Sequence, residues 1–257
     1  MMAQGAKTVD ARVALVTGAL SGIGRAAALG FARRGAQVVV SGRDEAKGMA
    51  LVAKIEAAGG VAAYCRCDVR NEDEIVALVA VAVERFGRLD HAVNSAGTDG
   101  ASRPLIEHTP ETYAEAFDIN VRGVLLSMKH EMLAMKQNGG GSIVNVSSTM
   151  AFRGRPNLGL YCASKHAVEG LTKVGAIEGA AMGIRVNGIA PGQIDTAMLD
   201  RVAGHIPGGK EHIAAGPPMK RLGTPEEAAD LILYLASDAA SYVTGQTVAI
   251  EGGRLAM

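Results

Sequence analysis

The chain has 257 residues and a balanced charge, with 26 lysines and arginines against 26 aspartates and glutamates and a pI near 7.0. No block of like charge is present, which disfavours a nucleic-acid or acidic-membrane partner and favours a small molecule. The longest apolar run, from Ile75 to Val83, has nine residues and is far too short to cross a membrane.

Neither a signal peptide nor a metal motif is visible in the sequence. The opening segment MMAQGAKTVDARVALVTG contains no apolar signal core, so we expect a protein of the cytoplasm. Cys65, Cys67 and Cys162 form neither a disulfide framework nor a C-x-x-C motif. The six histidines are scattered without the spacing of a zinc motif, so we expect no catalytic metal.

Short apolar runs alternate with longer amphipathic segments along the chain. The apolar runs predict seven buried strands, at RVALVT, AQVVVSG, VAAYCRCDV, LDHAVNSAG, GSIVNVSS, IRVNGIAPG and QTVAIEGG. The segments between them predict helices over Gly22–Arg34, Glu45–Ala58, Glu72–Phe86, Glu111–Met135, Tyr161–Met182 and Pro225–Ala236. This alternation predicts one doubly wound α/β domain over residues 1–257, a Rossmann-like, seven-stranded parallel sheet with helices on both faces.

The first predicted strand runs into a glycine-rich turn, TGALSGIG, and then directly into a helix. Gly18, Gly22 and Gly24 let the backbone turn sharply and approach a pyrophosphate, which the N–H groups and dipole of the helix N-terminus favour. Ser21 and Ile23 complete this predicted cofactor contact. The G-x-x-x-G-x-G spacing differs from the usual G-x-G-x-x-G fingerprint, so the turn alone is a weak indication of a nucleotide site.

The ends of the second and third strands are expected to face the adenosine part of such a cofactor. At the end of the second strand, an acidic side chain suits the 2′-hydroxyl of the adenosine ribose in NAD(H), and an arginine suits the 2′-phosphate of NADP(H). Arg43 therefore favours NADP(H), although the neighbouring Asp44 and the absence of a second cation at Ser21 leave NAD(H) open. Asp68 is expected to bond the adenine amino group or to lie in the N-cap region of the next helix, and Val69 to pack on the ring.

Two later segments carry further predictions. The irregular stretch Gln193–Met219 follows the sixth strand, where ligands bind in open α/β sheets, so it is predicted to be a substrate lid, with a plain surface loop as the alternative. Before it, YCASK places Tyr161 and Lys165 four residues apart on one helix face. That spacing permits proton transfer assisted by an ammonium, but it is equally common in ordinary surface pairs.

Taken in order, these motifs resemble those of the single-domain short-chain dehydrogenase/reductase family. The motifs are TGALSGIG, DV at Asp68, NSAG from Asn94, NVRG from Asn120, Ser148, YCASK and PG at Pro191. The resemblance covers essentially the whole chain. It implies an NAD(P)-dependent oxidoreductase that interconverts a secondary alcohol and a ketone.

The resemblance also implies catalytic roles. Tyr161 resembles the general acid and base, and Lys165 the group that holds the nicotinamide ribose and favours the phenolate. Ser148, thirteen residues before Tyr161, resembles the hydroxyl that orients the substrate oxygen, with Ser147 as its competitor. Asn120 resembles the residue whose backbone carbonyl supports a water linked to Lys165.

Further cofactor contacts follow from the same resemblance. NSAG matches the family's NNAG motif except at Ser95, and the segment after the sixth strand resembles the one that meets the nicotinamide and pyrophosphate. These contacts are assigned to Asn94, Ala96, Gly97, Tyr161, Lys165, Pro191, Gly192, Ile194 and Thr196.

Three other functions are weighed against this one. A 3-oxoacyl-carrier-protein reductase would need arginines near the pocket mouth, and the positions expected for them hold Met182 and Gly139, which favours a free alcohol or ketone. A catalytically silent NADP-binding regulator is disfavoured because the catalytic residues are all present. A hydrolase using Ser148 would lack a G-x-S-x-G elbow and a paired histidine. The family also implies a homotetramer, formed through the helices predicted at Glu111–Met135 and Tyr161–Met182 and through the last helix and the last strand.

Overall fold

The computed structural model describes residues 12–204 and 206–257. Most of the segment on which the signal-peptide prediction rests, residues 1–11, and His205 within the predicted lid lie outside the described residues.

All seven predicted strands are present and form one parallel sheet. They are β1 (Val13–Thr17), β2 (Gln37–Gly42), β3 (Val61–Arg66), β4 (His91–Asn94), β5 (Gly141–Val146), β6 (Ile184–Pro191) and β7 (Thr247–Ile250). Their order across the sheet is β3-β2-β1-β4-β5-β6-β7. β2 and β3 follow β1 on one side of it, whereas β4 to β7 are added on its other side. This change in strand order opens a crevice at the carboxyl ends of β1 and β4.

Helices cover both faces of the sheet. Those of the described residues are α1 (Gly22–Arg33), α2 (Glu45–Ala57), α3 (Glu72–Phe86), α4 (Pro110–Phe117), α5 (Gly123–Gln137), α6 (Gly159–Ala180), α7 (Ala197–Ala203), α8 (Gly209–Ala214) and α9 (Pro225–Ala236). The predicted fold class is confirmed, and five of the six predicted helices begin and end within two residues of their predicted bounds.

The apolar side chains form two separate cores, one on each face of the sheet. Along β1, Ala14 and Val16 belong to the core beneath α1, α2 and α9, whereas Val13 and Leu15 belong to the core beneath α3, α5 and α6. All four are fully buried. Both faces of this strand are covered, which explains why its sequence is continuously apolar instead of alternating.

The helix predicted over Glu111–Met135 is present and contains one π-helical turn. A segment of π-helix, Asp118–Arg122, separates α4 from α5. Asn120 lies within this segment, and its buried side chain makes the hydrogen bonds described below. The backbone stays helical from Pro110 to Gln137, so the predicted helix is confirmed, and its π-helical turn is the part that was not predicted.

The predicted lid is partly helical. It contains α7 and α8, and Thr196 caps α7 by accepting a hydrogen bond from Leu199 N at 3.3 Å. In the parts of the chain that the structure describes, no helix is both long enough and apolar enough for a membrane crossing.

Candidate active site

The glycine-rich turn after β1 packs directly on the backbone that follows β4. Gly18 has a φ of +65°, and a Cβ at this position would lie 2.7 Å from Ala96 N. A Cβ at Gly24 would lie 2.4 Å from Gly18 O. Both positions therefore require glycine. Thr17 also joins these two segments, because its hydroxyl accepts hydrogen bonds from the backbone N–H groups of Ser95 and Ala96.

The N-terminus of α1 is left open for an anion. Ser21 occupies the N-cap position but makes no side-chain hydrogen bond to the helix, and the first turn holds no acidic residue. The first N–H groups of a helix have no partner within the helix, and they carry the positive end of its dipole. The bare turn and this open helix end fit the diphosphate of a dinucleotide.

A cavity of about 470 Å³ lies at the carboxyl ends of β1, β4, β5 and β6. Most of the predicted site residues line it, namely Gly18, Ser21, Gly22, Ile23, Arg43, Ala96, Gly97, Ser148, Tyr161, Lys165, Pro191, Gly192, Ile194 and Thr196. The structure thus brings the glycine turn, the YCASK segment and the segment after β6 together around one space. A volume of this size is typical of small-molecule sites.

Tyr161 and Ser148 meet inside this cavity. Burial raises the pKa of the Tyr161 phenol above its usual value, and a hydrogen bond from the Ser148 hydroxyl acts in the opposite direction. The phenol therefore carries its proton at neutral pH. Ser147 also lines the cavity, but its buried hydroxyl has no hydrogen-bond partner in the structure. Only Ser148 is thus joined to Tyr161.

Lys165 lies behind the tyrosine ring. Its Nζ is 5.8 Å from the ring centroid of Tyr161 and donates a hydrogen bond to Val146 O at 2.9 Å. Burial lowers the pKa of Lys165 to about 8, and Glu169 opposes that shift. The ammonium is therefore charged at neutral pH and within reach to stabilise a phenolate.

Asn120 is fully buried and lies beside the cavity, outside its lining. Its side chain accepts a hydrogen bond from Thr98 N at 2.9 Å and donates to Thr98 O at 2.9 Å and to Ser164 Oγ at 3.0 Å. Ser164 Oγ in turn donates to Tyr161 O at 2.8 Å. Asn120 therefore connects the loop after β4 to the turn of α6 that carries the tyrosine.

The end of β2 presents a cation and no free carboxylate. Arg43 is exposed and lines the cavity. Gly42 carries no side chain, and a Cβ there would lie 2.5 Å from Leu20 Cδ1. The carboxylate of Asp44 caps α2 by accepting a hydrogen bond from Lys47 N at 3.0 Å, and it also pairs with Lys47 Nζ.

Gly24, Asp68, Val69 and Asn94, all predicted to contact the cofactor, lie outside the cavity lining. Hydrogen bonds donated by Arg70 lower the pKa of the Asp68 carboxyl to about 2, and the positive charge of Arg43 contributes to this shift. Asn71 is the N-cap residue of α3, and Asp68 lies three residues before it, where its carboxylate accepts a hydrogen bond from Arg70 N at 3.1 Å.

Val69 and Asn94 pack into the protein interior instead. Val69 packs on Gly123 at the start of α5, where an added Cβ would lie 2.8 Å from Val69 Cγ2. The side chain of Asn94 donates hydrogen bonds to Glu131 and Asn145, which belong to the core beneath the sheet. These contacts explain why the two side chains do not line the cavity.

Several charged residues of the cavity were missed by sequence reasoning. Asp99, Arg153 and Arg155 line it, and so does Arg201 of the predicted lid. The segment 149–158 joins Ser148 to the helix of Tyr161, so it has to border the site. That position in the chain is the signal that would have revealed the two arginines.

Gly139 and Met182, where a carrier-protein reductase was expected to have arginines, lie at the edge of the sheet away from the cavity. Gly139 precedes β5 and Met182 precedes β6, and the backbone of Gly183 lies against Gly140. Both positions are therefore at the amino ends of these strands, opposite the cavity. Their lack of charge consequently gives no information about the substrate.

Comparisons with known proteins agree with this geometry. A family model described as enoyl-(acyl carrier protein) reductase matches residues 18–254. The chain is 43% identical to a 3beta-hydroxysteroid dehydrogenase of Mediterraneibacter gnavus, with 95% of each chain covered. It is also 43% identical to a cis-4-hydroxycyclohexanecarboxylate dehydrogenase of Sinomonas cyclohexanicum, over 96% of this chain and 97% of the relative.

Solved structures show the same architecture. A crystal structure of a variant actinorhodin polyketide ketoreductase with NADPH superposes with a TM-score of 0.92 at 36% identity. The match covers 96% of this chain and 98% of that one.

Proposed function

Because the chain belongs to the short-chain dehydrogenase/reductase family, we propose that it interconverts a secondary alcohol and a ketone with NADP(H), with Tyr161 as general acid and base. The observation that carries this proposal is the meeting of Ser148, Tyr161 and Lys165 in one cavity with the glycine turn. The relatives are named dehydrogenases and reductases of secondary alcohols and ketones, which supports the same reaction class.

The proposed chemistry divides between the cofactor and the side chains. When bound, the nicotinamide supplies or accepts the hydride. In the direction of reduction, the hydroxyls of Ser148 and Tyr161 donate hydrogen bonds to the substrate oxygen, where negative charge develops. Tyr161 then transfers its proton to that oxygen, and the Lys165 ammonium stabilises the resulting phenolate. In oxidation the same phenolate takes the proton of the alcohol.

NADP(H) is the preferred cofactor in this proposal. The open end of α1 and the bare turn suit the diphosphate, and Arg43 suits a 2′-phosphate. Since Gly42 carries no side chain and Asp44 caps α2, neither position offers a free carboxylate to a 2′-hydroxyl. The structure of the ketoreductase with NADPH is consistent with this choice.

A cyclic ketone or alcohol is the substrate type that the relatives favour. The steroid and the cyclohexane derivative in the names of two relatives both carry their hydroxyl on a ring. Met150, Leu158, Met198 and Leu199 give the cavity of this chain an apolar wall, and methionine side chains adapt readily to different ring shapes.

A homotetramer is also part of the proposal. Apolar side chains lie exposed on the elements through which the family resemblance predicts assembly. They are Leu125 and Leu133 of α5, Val174 and Ile177 of α6, and Val248 of β7. Burial against further copies of the chain would remove this apolar surface from water.

Replacing Tyr161 tests the catalytic assignment. Tyr161→Phe removes the proton donor and keeps the ring, so we expect kcat to fall by about 10²- to 10⁴-fold, the usual contribution of a general acid. Cofactor affinity, measured by the fluorescence of NADPH on titration, should remain near that of the wild type. Turnover is followed by NADPH absorbance with a panel of cyclic and aliphatic ketones.

Tyr242→Phe is the matched control, because Tyr242 is fully exposed and remote from the cavity lining. It should leave both measurements unchanged. A Tyr161→Phe enzyme with wild-type kcat would contradict the assignment. A wild-type protein that binds NADPH but reduces no ketone and oxidises no alcohol would indicate a silent regulator instead.

A further inference from the structure

The cavity carries a strong excess of positive charge. Its lining includes five cationic side chains, from Arg43, Arg153, Arg155, Lys165 and Arg201, against the single carboxylate of Asp99. A cluster of like charge in a partly desolvated site is unfavourable unless an anion joins it. Each of these cations is therefore expected to have an anionic or hydrogen-bonding partner.

Three of the five already have a role. Arg201 pairs with Asp99 at 3.0 Å, and Lys165 donates to Val146 O beneath Tyr161. Arg43 lies at the end of β2, where the 2′-phosphate of the proposed cofactor belongs. The nicotinamide end of that cofactor bears no phosphate, so Arg153 and Arg155 face the substrate part of the cavity without a cofactor anion to bind.

Arg153 has no acceptor for its guanidinium among the described residues. Its Nε is buried and makes no hydrogen bond. Burial lowers the pKa of Arg153, as do the neighbouring charges of Arg254 and Arg155, whereas Glu251 alone among the nearby carboxylates favours the charged form. Glu251 already accepts a hydrogen bond from Leu255 N at 2.8 Å.

The loop that carries the two arginines is held in place at both ends. Ala151 N donates to Ser148 O at 2.9 Å, just after the serine of the site. At the other end, Asn157 adopts a left-handed φ of 65° and accepts a hydrogen bond from Arg103 N at 3.0 Å. A preorganised loop of this kind presents a guanidinium without a large loss of entropy on binding.

We propose that Arg153, with Arg155 beside it, binds a carboxylate on the substrate, so that the natural substrate is an acidic hydroxy compound or its ketone. The inference rests on the proposed function, because it adds a substrate class to the same cavity. The planar guanidinium matches a carboxylate through two parallel hydrogen bonds. The carbon that is oxidised or reduced then faces Tyr161 while the acid group lies at the loop of residues 149–158.

A small carboxylic acid fits these observations better than an acidic carrier protein. Arg153 and Arg155 line the same cavity as Ser148 and Tyr161, so an anion that they bind lies inside it, where a small ligand enters and the surface of a folded protein does not. A carrier protein is therefore an alternative that the experiment has to exclude.

Matched pairs of ketones test the proposal. Each pair consists of a keto acid and its methyl ester, with a cyclohexanone, an open-chain and a steroid skeleton represented, and kcat/KM is measured with NADPH and with NADH. We expect the wild type to prefer the acid of its best pair by at least about tenfold, as a charge-assisted hydrogen bond provides. Arg153→Met should bring the ratio of acid to ester close to one by lowering kcat/KM for the acid.

Two further variants separate charge from folding. Arg153→Lys keeps the charge without the planar fork, so it should retain part of the preference for the acid. Arg33→Met removes an exposed arginine at the far end of α1 and should leave the ratio unchanged.

Isothermal titration of cyclohexanecarboxylate into the NADP⁺ complex should show binding by the wild type and at least tenfold weaker binding by Arg153→Met.

The possible failures are distinguishable. Equal turnover of acid and ester by the wild type, or a ratio that Arg153→Met leaves unchanged, overturns the carboxylate site and leaves the dehydrogenase function intact. Reduction of a 3-oxoacyl carrier protein in preference to every small acid overturns it in favour of a carrier. Failure to reduce any ketone contradicts the proposed function itself.

Discussion

Arg43 is the single residue on which the proposed cofactor preference depends. It makes no hydrogen bond or ion pair with any described residue, and the adjacent carboxylate of Asp44 is occupied at the N-cap of α2. We expect Arg43→Ser to raise the KM for NADPH by about 10- to 100-fold, the effect of losing a charged hydrogen bond, and to change the KM for NADH far less. Initial rates with each cofactor at saturating ketone measure this difference.

Arg33→Ser is the control for that experiment. It removes an equal charge from α1 at the end opposite the glycine turn, so both KM values should stay at the wild-type level. If Arg43→Ser leaves the ratio of the two KM values unchanged, the preference for the 2′-phosphate does not come from Arg43.

The residues of the site differ in how far the sequence predicts them. Tyr161, Lys165 and Ser148 were found from their spacing and the family resemblance, and the structure places all three on one cavity. Asn94 belongs to an equally clear motif, yet its side chain turns into the core. A motif fixes which backbone segment borders the site, whereas the direction of each side chain depends on the tertiary contacts that it finds.

Arg153 shows the opposite case. No motif marks it, and its buried Nε becomes evident only when the loop of residues 149–158 is folded over the cavity. The sequence therefore predicts the chemistry common to the family better than the groups that select a substrate.

At the scale of secondary structure, the π-helical segment between α4 and α5 is the feature that the sequence did not reveal. Apolar periodicity is the same on both sides of Asp118–Arg122, so the pattern predicts one continuous helix. Within the π-helical turn, the buried side chain of Asn120 makes hydrogen bonds to two distant segments, at Thr98 and Ser164. Such long-range bonds leave no periodic signal, and π-segments of this kind occur frequently at functional sites.

Removing the Asn120 side chain should affect both stability and turnover. Asn120→Ala leaves the backbone of Thr98 without its partners, and each buried group without a hydrogen bond costs about 1–3 kcal/mol. We expect a lower urea midpoint together with a fall in kcat of about tenfold or more, because the turn that carries Tyr161 loses its support. Urea unfolding and initial rates measure the two effects.

Asn138→Ala provides the comparison. Asn138 donates a hydrogen bond to Leu89 O at 2.7 Å, next to the amino end of β5 and away from the cavity. This variant should lower stability and leave kcat unchanged. If Asn120→Ala lowers only the urea midpoint in the same way, the π-segment serves the fold and not the site.

At the scale of the whole molecule, a buried polar network joins the sheet to two helices. Asn94 of β4 donates to Glu131 Oε2 of α5 and to Asn145 Oδ1 of β5, both at 3.0 Å. Asn145 then donates to Thr172 Oγ1 of α6 at 2.9 Å. The network links the strands that carry the site, and it contains the Glu131 carboxyl group, which pairs with no cation among the described residues.

The Glu131 carboxyl should make stability depend on pH. Burial raises the pKa of Glu131 to about 7, and the hydrogen bond from Asn94 only partly offsets that shift. The folded state therefore holds a proton that the unfolded state releases once the pH exceeds the ordinary value for glutamate. Stability should fall as the pH rises from about 4.5 to about 7 and then level off, by an amount on the order of 3 kcal/mol.

Glu131→Gln isolates this effect, because glutamine resembles the protonated acid and cannot ionise. We expect the variant and the wild type to differ least near pH 5, with the variant gaining stability relative to the wild type up to about pH 8. Urea unfolding at each pH gives the difference in the free energy of unfolding, in which the contributions of all other titrating groups cancel. Glu84→Gln, at an exposed position of α3, should show no such trend. A difference between Glu131→Gln and the wild type that is constant from pH 5 to pH 8 would mean that Glu131 is ionised inside the fold, and the network would then need a compensating charge.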